Sequence, residues 1–265
     1  MKKSNLLKSA LLAIAGVGLF ATHANATLTY SSDDLFIGVY SASSTTDYLI
    51  DIGQASNFLN AASGSTTTID TIGNDLTTAF GSGWATDQSV KWAVFGTDQL
   101  HTTSYDTSTY TNYATKPEGI VGTLATGYLR NTQSTQASAS NAMIGVENAY
   151  KNGSLSAEGG YLQSTGVTNS LYSQTAGGSN IIFANYTSGD FSNGTSQSVL
   201  DLFRMVKVSS VDGSTGDYVG SFSINDAGTV SYTVTAVPEP STYGLFILGG
   251  AVALAVVRRF RKVQA

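Results

Sequence analysis

"DYVGSFSINDAGTVSYTV", residues 217–234, alternates apolar and polar side chains on both sides of Asn225-Asp226-Ala227-Gly228. A period of two marks a strand with one buried face, so Tyr218, Phe222 and Ile224 are expected to point one way, and Val230, Tyr232 and Val234 to share the matching face of the returning strand. Gly228 offers the positive φ that a tight connection needs. The segment therefore predicts a β-hairpin, and it sets the class for the chain around it.

Just upstream, "VLDLFRMVKV" (199–208) offers another strand with Leu200, Leu202 and Met205 as core candidates, followed by a Gly-rich turn. A helix is conceivable there, but the β-branched content and the strands downstream favour extended structure. Near the front, "DDLFIGVYSASSTTDYLIDIG" reads as two short strands, 35–40 and 48–52, joined by a Ser/Thr loop, and "SVKWAVFG" as a third with Val90, Trp92 and Val94 on one face. Between them Ile69, Ile72, Leu76 and Phe80 recur at helical spacing, which predicts one amphipathic helix ending at Gly81. From 101 to 180 Ser, Thr, Asn, Gly and Tyr dominate, with a candidate strand at "GIVGTLATGYL" (119–129) and a candidate helix at "NAMIGVENAY" (141–150). The expected fold is mainly β: a single antiparallel, sandwich-like domain over 27–236 with one or two short helices and long polar loops.

Composition agrees with turn-rich extended structure, with 12% charged residues and 28 glycines. The chain has no cysteine, which excludes disulfides, thiolate nucleophiles and cysteine-ligated metal centres. Between residues 27 and 237 there are six basic residues (Lys91, Lys116, Arg130, Lys151, Arg204 and Lys207) against seventeen acidic ones, an excess of eleven negative charges. Such a body lacks the basic face that nucleic-acid binding requires. It is equally unsuited to docking on anionic lipid.

Both ends carry address labels. Lys2, Lys3 and Lys8, the apolar run 10–20 and Ala24-Asn25-Ala26 make a complete secretory signal over 1–26, cleaved after Ala26. The implied partners are the Sec translocon and signal peptidase. At the other end, 243–257 is a run of fifteen uncharged residues, which Ser241 and Thr242 extend to seventeen. As a helix it spans roughly 25 Å, just enough to cross a ~30 Å hydrocarbon core. Arg258, Arg259, Arg261 and Lys262 follow at once and act as a stop-transfer tail held inside. The competing reading, a soluble amphipathic helix, needs a polar face that this run lacks.

Two of the chain's three prolines, Pro238 and Pro240, flank Glu239 immediately before that run. Each proline lacks an N–H and pushes its predecessor toward extended backbone, so "VPEP" stays out of the helix and is displayed as an extended peptide just outside the membrane. The order Pro238-Glu239-Pro240, apolar helix, Arg-rich end resembles the PEP-CTERM sorting signal of Gram-negative bacteria, here over 237–265. The resemblance implies recognition by exosortase, a multi-spanning membrane enzyme that cuts near the motif and releases or transfers the cargo. The inner membrane is then a transient anchor, and the final place is the cell surface or beyond. It further implies a role alongside exopolysaccharide, in envelope, biofilm or matrix. The body segments "DLFIGVYSAS", "VKWAVFG" and "YVGSFSINDAGTVSYT" are similar to those of PEP-CTERM cargo proteins from Verrucomicrobia-like bacteria, a set to which no biochemical role attaches.

Chemistry in the body is sparse. Its one histidine, His101, sits in "DQLHTTSYD", and no G-x-S-x-G elbow is present. Glu118, Glu147 and Glu158 are the only body glutamates available for a glycosidase pair. "DGSTGD" (212–217) and "NDAG" (225–228) place oxygen ligands beside glycine, but neither has EF-hand spacing. Trp84 and Trp92, with fourteen tyrosines, are candidate sugar-stacking groups, although Trp92 alternates with Val90 and Val94 and so reads as core. Asn185 and Asn193 stand in formal glycosylation sequons, and the Ser/Thr loops are candidates for O-linked sugar. The expectation is a non-enzymatic exported protein with no catalytic residue, cofactor or metal. A carbohydrate-binding β-sandwich and a secreted hydrolase relying on His101 are the alternatives.

Overall fold

The computed structural model describes residues 31–98, 111–118, 122–128, 133–151, 156–175, 199–206 and 214–235. Extended segments within them form nine strands: β1 (Asp34–Ser41), β2 (Thr46–Gln54), β3 (Thr66–Thr71), β4 (Val90–Asp98), β5 (Thr111–Pro117), β6 (Tyr161–Ser164), β7 (Val199–Val206), β8 (Asp217–Ile224) and β9 (Thr229–Thr233). They hydrogen-bond in the order β3-β9-β8-β7-β5-β4-β1-β2-β6, every neighbour antiparallel. The helices are α1 (Ala55–Leu59), α2 (Gly73–Phe80), α3 (Gln133–Lys151) and α4 (Leu171–Thr175), with a 3-10 turn at Trp84–Thr86.

The architecture is therefore one curled sheet, not the two packed sheets of a sandwich. Its concave side encloses a core from both halves of the chain, in which Leu35, Ile37, Trp92 and Val94 meet Leu200, Leu202, Phe222, Ile224, Val230 and Tyr232. The curl is held by α1, which leaves the end of β2 and reaches across to β8. Its Phe58 ring lies 5.3 Å from Phe222 and 5.0 Å from Tyr232, centroid to centroid. Each such aromatic pair adds about 0.5–1.5 kcal/mol beyond the area it buries. On the convex side Phe36, Tyr40, Leu49, Ala93 and Phe95 pack under Ala142, Met143, Val146 and Tyr150 of α3 and Leu171 of α4.

The hairpin at 217–234 forms as its periodicity predicts. Gly228 has φ +79, its carbonyl accepts the Ile72 N–H, and Gly73 lies so close that a Cβ at 228 has no room. One side chain departs from the alternation. The register with β7 shifts between Leu202 and Phe203, so that Gly220 faces Leu202 but Tyr218 faces Phe203, leaving Val219 as the extra residue. The bulge turns Tyr218 out of the concave core, and Val219 packs there instead.

The strands expected at 35–40, 48–52, 90–94 and 199–206 are present. Met205, however, joins the convex core, opposite to Leu200 and Leu202, as strict alternation along β7 requires. The helix expected over 69–80 begins only at Gly73. Thr66, Thr67 and Thr68 are β-branched and pair with β9, and Ile69 sits at a register shift within that pairing. The helix ends at Gly81 as expected, with φ +86. Of 119–129, the described residues 122–128 form a turn and irregular chain, with Gly122 at φ +78. The helix at 141–150 is real and longer, nineteen residues in all.

Candidate functional site

The sequence places the chain's most specific chemistry after β9, so the point where the body hands over to its tail is the site to build. Pairing directions put the end of β9 on the same rim as the start of β3, the start of β8, the ends of β2 and β4, and α1. There the last residues of the body are tied down. Val234 N–H donates to Ser65 O (2.9 Å), and Gly64 N–H donates to Val234 O (2.7 Å). The Thr66 and Thr233 hydroxyls are 3.0 Å apart. The Tyr218 hydroxyl, freed from the core by the bulge, lies 2.9 Å from Ser221 Oγ and 3.0 Å from Thr235 Oγ1. The sheet thus holds the chain as far as Thr235. Pro238, Glu239, Pro240, the 243–257 run and Arg258, Arg259, Arg261 and Lys262 lie outside the described residues, as do Ala24 and Ala26. Among the described residues no helix is long and apolar enough to cross a membrane.

Carboxyl groups collect on the same rim, further along, where β1, β2 and β4 meet α3. Asp34 accepts hydrogen bonds from Ser31 N–H and the Gln54 side-chain amide, and Asp51 accepts one from Gly53 N–H (2.7 Å). Burial raises Asp33, with Asp98 and Asp34 adding to the effect, and burial likewise raises Asp51 against the opposing pull of Gly53 N–H. Glu147 of α3, 4% exposed, is pushed up to about 8 by burial and then by the charges of Asp34 and Asp51. Its Oε1 has no hydrogen-bond partner among the described residues. Among the described residues no three carboxylate or histidine side chains are grouped as a metal site. Asp51, pushed up to about 7, and Glu147 thus favour their protonated forms near neutral pH more than free carboxyls do.

The other two body glutamates have structural duties. Glu158 caps α2, its carboxylate accepting from Asn74 Nδ2 (2.7 Å) and Asp75 N–H (2.9 Å). Glu118 accepts from Gly122 N–H, which shapes the turn beyond β5. Its neighbour Asp201 is held by Ala125 N–H and Ser221 Oγ, both at 2.6 Å. The three glutamates sit on separate elements and do not form a pair. His101 and Asp212 lie outside the described residues. Asp217 is paired with Arg204 at 3.0 Å, and Asn225 Oδ1 accepts from Ala227 and Thr229 N–H within its own turn. Trp84 and Trp92 are both buried in the concave core. They therefore offer no surface platform for a sugar ring, which corrects the open reading of Trp84.

Sequence reasoning missed a polar network under α3. Asn112 Oδ1 accepts from Thr97 Oγ1 (2.8 Å) and Ser140 Oγ (2.6 Å), while Asn112 Nδ2 donates to Gln136 O (3.0 Å). It pins α3 to β4 and β5, and a polar residue alternating with Tyr113 was its only trace in sequence.

Residues 236–262 match the PEP-CTERM protein-sorting motif. The match begins at the residue after Thr235, the last described residue, which the Tyr218 hydroxyl holds. The chain thus carries the sorting signal of an exported protein processed by exosortase, with a transient C-terminal membrane anchor before cleavage. No curated protein and no solved structure matches the chain.

Proposed function

We propose that this is a non-enzymatic cell-surface or extracellular-matrix protein, delivered by the Sec signal and released through exosortase at Pro238-Glu239-Pro240. The match at 236–262 carries the reading. The junction supports it: the sheet holds the chain at Thr235, the matched motif begins at the next residue, and the sequence there, with Pro238 and Pro240, favours an extended peptide. The absence of catalysis is part of the proposal, and it draws support from Glu118 and Glu158 being committed to backbone and cap. A polyanionic, Ser/Thr-rich exterior suits a hydrated matrix shared with exopolysaccharide, and its hydroxyls are available for O-linked sugar.

Intact mass of the protein recovered from its host and from a matched strain lacking exosortase tests the reading. The expected result is a species that begins at Thr27 and lacks the tail beyond the motif only when exosortase is present, with any extra mass reporting sugar. A full-length C-terminus in both strains would make the helix a permanent anchor and end the proposal.

A further inference from the structure

We propose that the uncharged cap formed by α1 and residues 60–65 is the face through which the folded body docks on exosortase while Pro238-Glu239-Pro240 occupies the enzyme's groove. The inference rests on the sorting reading and adds to it the surface that the partner meets.

The length of the tether makes the first argument. Thr235 is held by Tyr218, and Val234 by Gly64 and Ser65, so only Ala236 and Val237 separate the sheet from the motif. Three Cα steps span at most about 10 Å. Whatever grips the motif therefore lies against the rim from which the tail emerges, and during recognition that is the enzyme itself.

Charge makes the second. The body carries eleven excess negative charges, yet residues 55–69, "ASNFLNAASGSTTTI", contain none. This run closes the mouth of the sheet at the tail's exit, and Ser56, Asn57, Leu59, Asn60, Ala62 and Ser63 are exposed on it. Docking through a carboxylate-studded surface would strip those charges of water, a cost that a neutral face avoids. Depletion of charge with small polar and apolar side chains at its centre is also the composition of a docking face. Of the other carboxyl groups on the rim, Asp217 is exposed but paired with Arg204 at 3.0 Å, Asp34 is buried, and burial raises Asp33, Asp51 and Glu147.

The test uses the full chain in its host. Pulse-chase processing of a triple variant, Asn57→Asp, Asn60→Asp and Ser63→Asp, is expected to slow several-fold with the motif intact and the unfolding temperature unchanged. A control with the same added charge on the opposite rim, Ala42→Asp, Thr45→Asp and Ala227→Asp, is expected to process at the wild-type rate. A flexible Gly/Ser insertion between Thr235 and Ala236, long enough to separate the cap from the enzyme, is expected to restore the triple variant. A photocrosslinking residue at Ser63 should capture exosortase where one at Asp226 does not. Wild-type processing of the cap variant, equal slowing of the control, or capture from Asp226 alone overturns the docking face. Cleavage of the wild type without exosortase removes instead the sorting reading beneath it.

Discussion

Replacing Glu147 with glutamine tests the electrostatics of the convex core directly. The carboxyl is 4% exposed, lacks a partner on Oε1 among the described residues, and is pushed from 4.5 up to about 8 by burial and by Asp34 and Asp51. The folded state holds this proton more tightly than the unfolded chain does, so ionisation opposes folding. Below about pH 4.5 both states are protonated and the group contributes no pH dependence. Between there and about pH 8 the unfolded chain releases the proton first, and stability falls as pH rises; above that the penalty is complete. At about 1.4 kcal/mol per pH unit over some 3.5 units the ceiling is about 5 kcal/mol, and relaxation of the site lowers it to roughly 2–4 kcal/mol. Glu147→Gln keeps the shape, never ionises, and brings an amide toward Asp34 and Asp51. The body, residues 27–235, is expected to gain that amount at pH 8 and to change by less than about 1 kcal/mol at pH 5. Urea unfolding followed by the fluorescence of buried Trp84 and Trp92 measures both. A wild type as stable at pH 8 as at pH 5, or a variant weakened at pH 8, would refute the reasoning.

Asp47, pushed up to about 7 by burial against the opposing bond from Tyr172 N–H, has the same sign, so Asp47→Asn, whose amide oxygen still accepts that N–H and never ionises, should also flatten the pH profile in urea unfolding. Glu158→Ala removes the cap of α2 and is expected to cost about 1 kcal/mol in urea unfolding, with faster amide exchange at Asp75. Gly220→Val drives a side chain into the Tyr232 ring and should lower stability by about 2 kcal/mol or more, against little change at exposed Gly83. Asp217→Ala breaks an ion pair whose side chains are 38% and 59% exposed, and its effect should stay under about 1 kcal/mol and vanish in high salt.

What was legible in the sequence was what local chemistry decides. The hairpin at 217–234 announced itself because Phe222, Ile224, Val230 and Tyr232 alternate around a glycine turn, and the sorting signal because prolines, apolar run and arginines follow one another in order. Closure of the sheet was not legible. It depends on Phe58 meeting Phe222 and Tyr232, residues more than 160 positions away, and on a five-residue helix too short to have a period. β5 was missed for a different reason. "TNYATKP" buries Asn112 on the α3 side, with Ala114, and Thr115 on the concave side, with Tyr113, so each face has a polar residue where pattern reading expects an apolar one. Thr97 and Ser140 satisfy Asn112, while Thr115 Oγ1 accepts the Val94 N–H (2.9 Å) in place of a main-chain partner. A strand in which a buried polar but paired residue interrupts each face costs little in the folded protein and carries only a diluted hydrophobic signature. The same logic explains the acidic rim. Asp33, Asp34, Asp51, Asp98 and Glu147 are scattered over more than a hundred residues, and only the antiparallel register of β1 with β2 and β4, together with the placement of α3, brings them into one electrostatic unit. An isolated aspartate in the sequence reads as a solvated charge. Gathered by the register, Asp33, Asp51 and Glu147 are each raised, chiefly by burial, and hold a proton more tightly in the folded state than in the unfolded chain, so these three groups favour mildly acid over neutral solution.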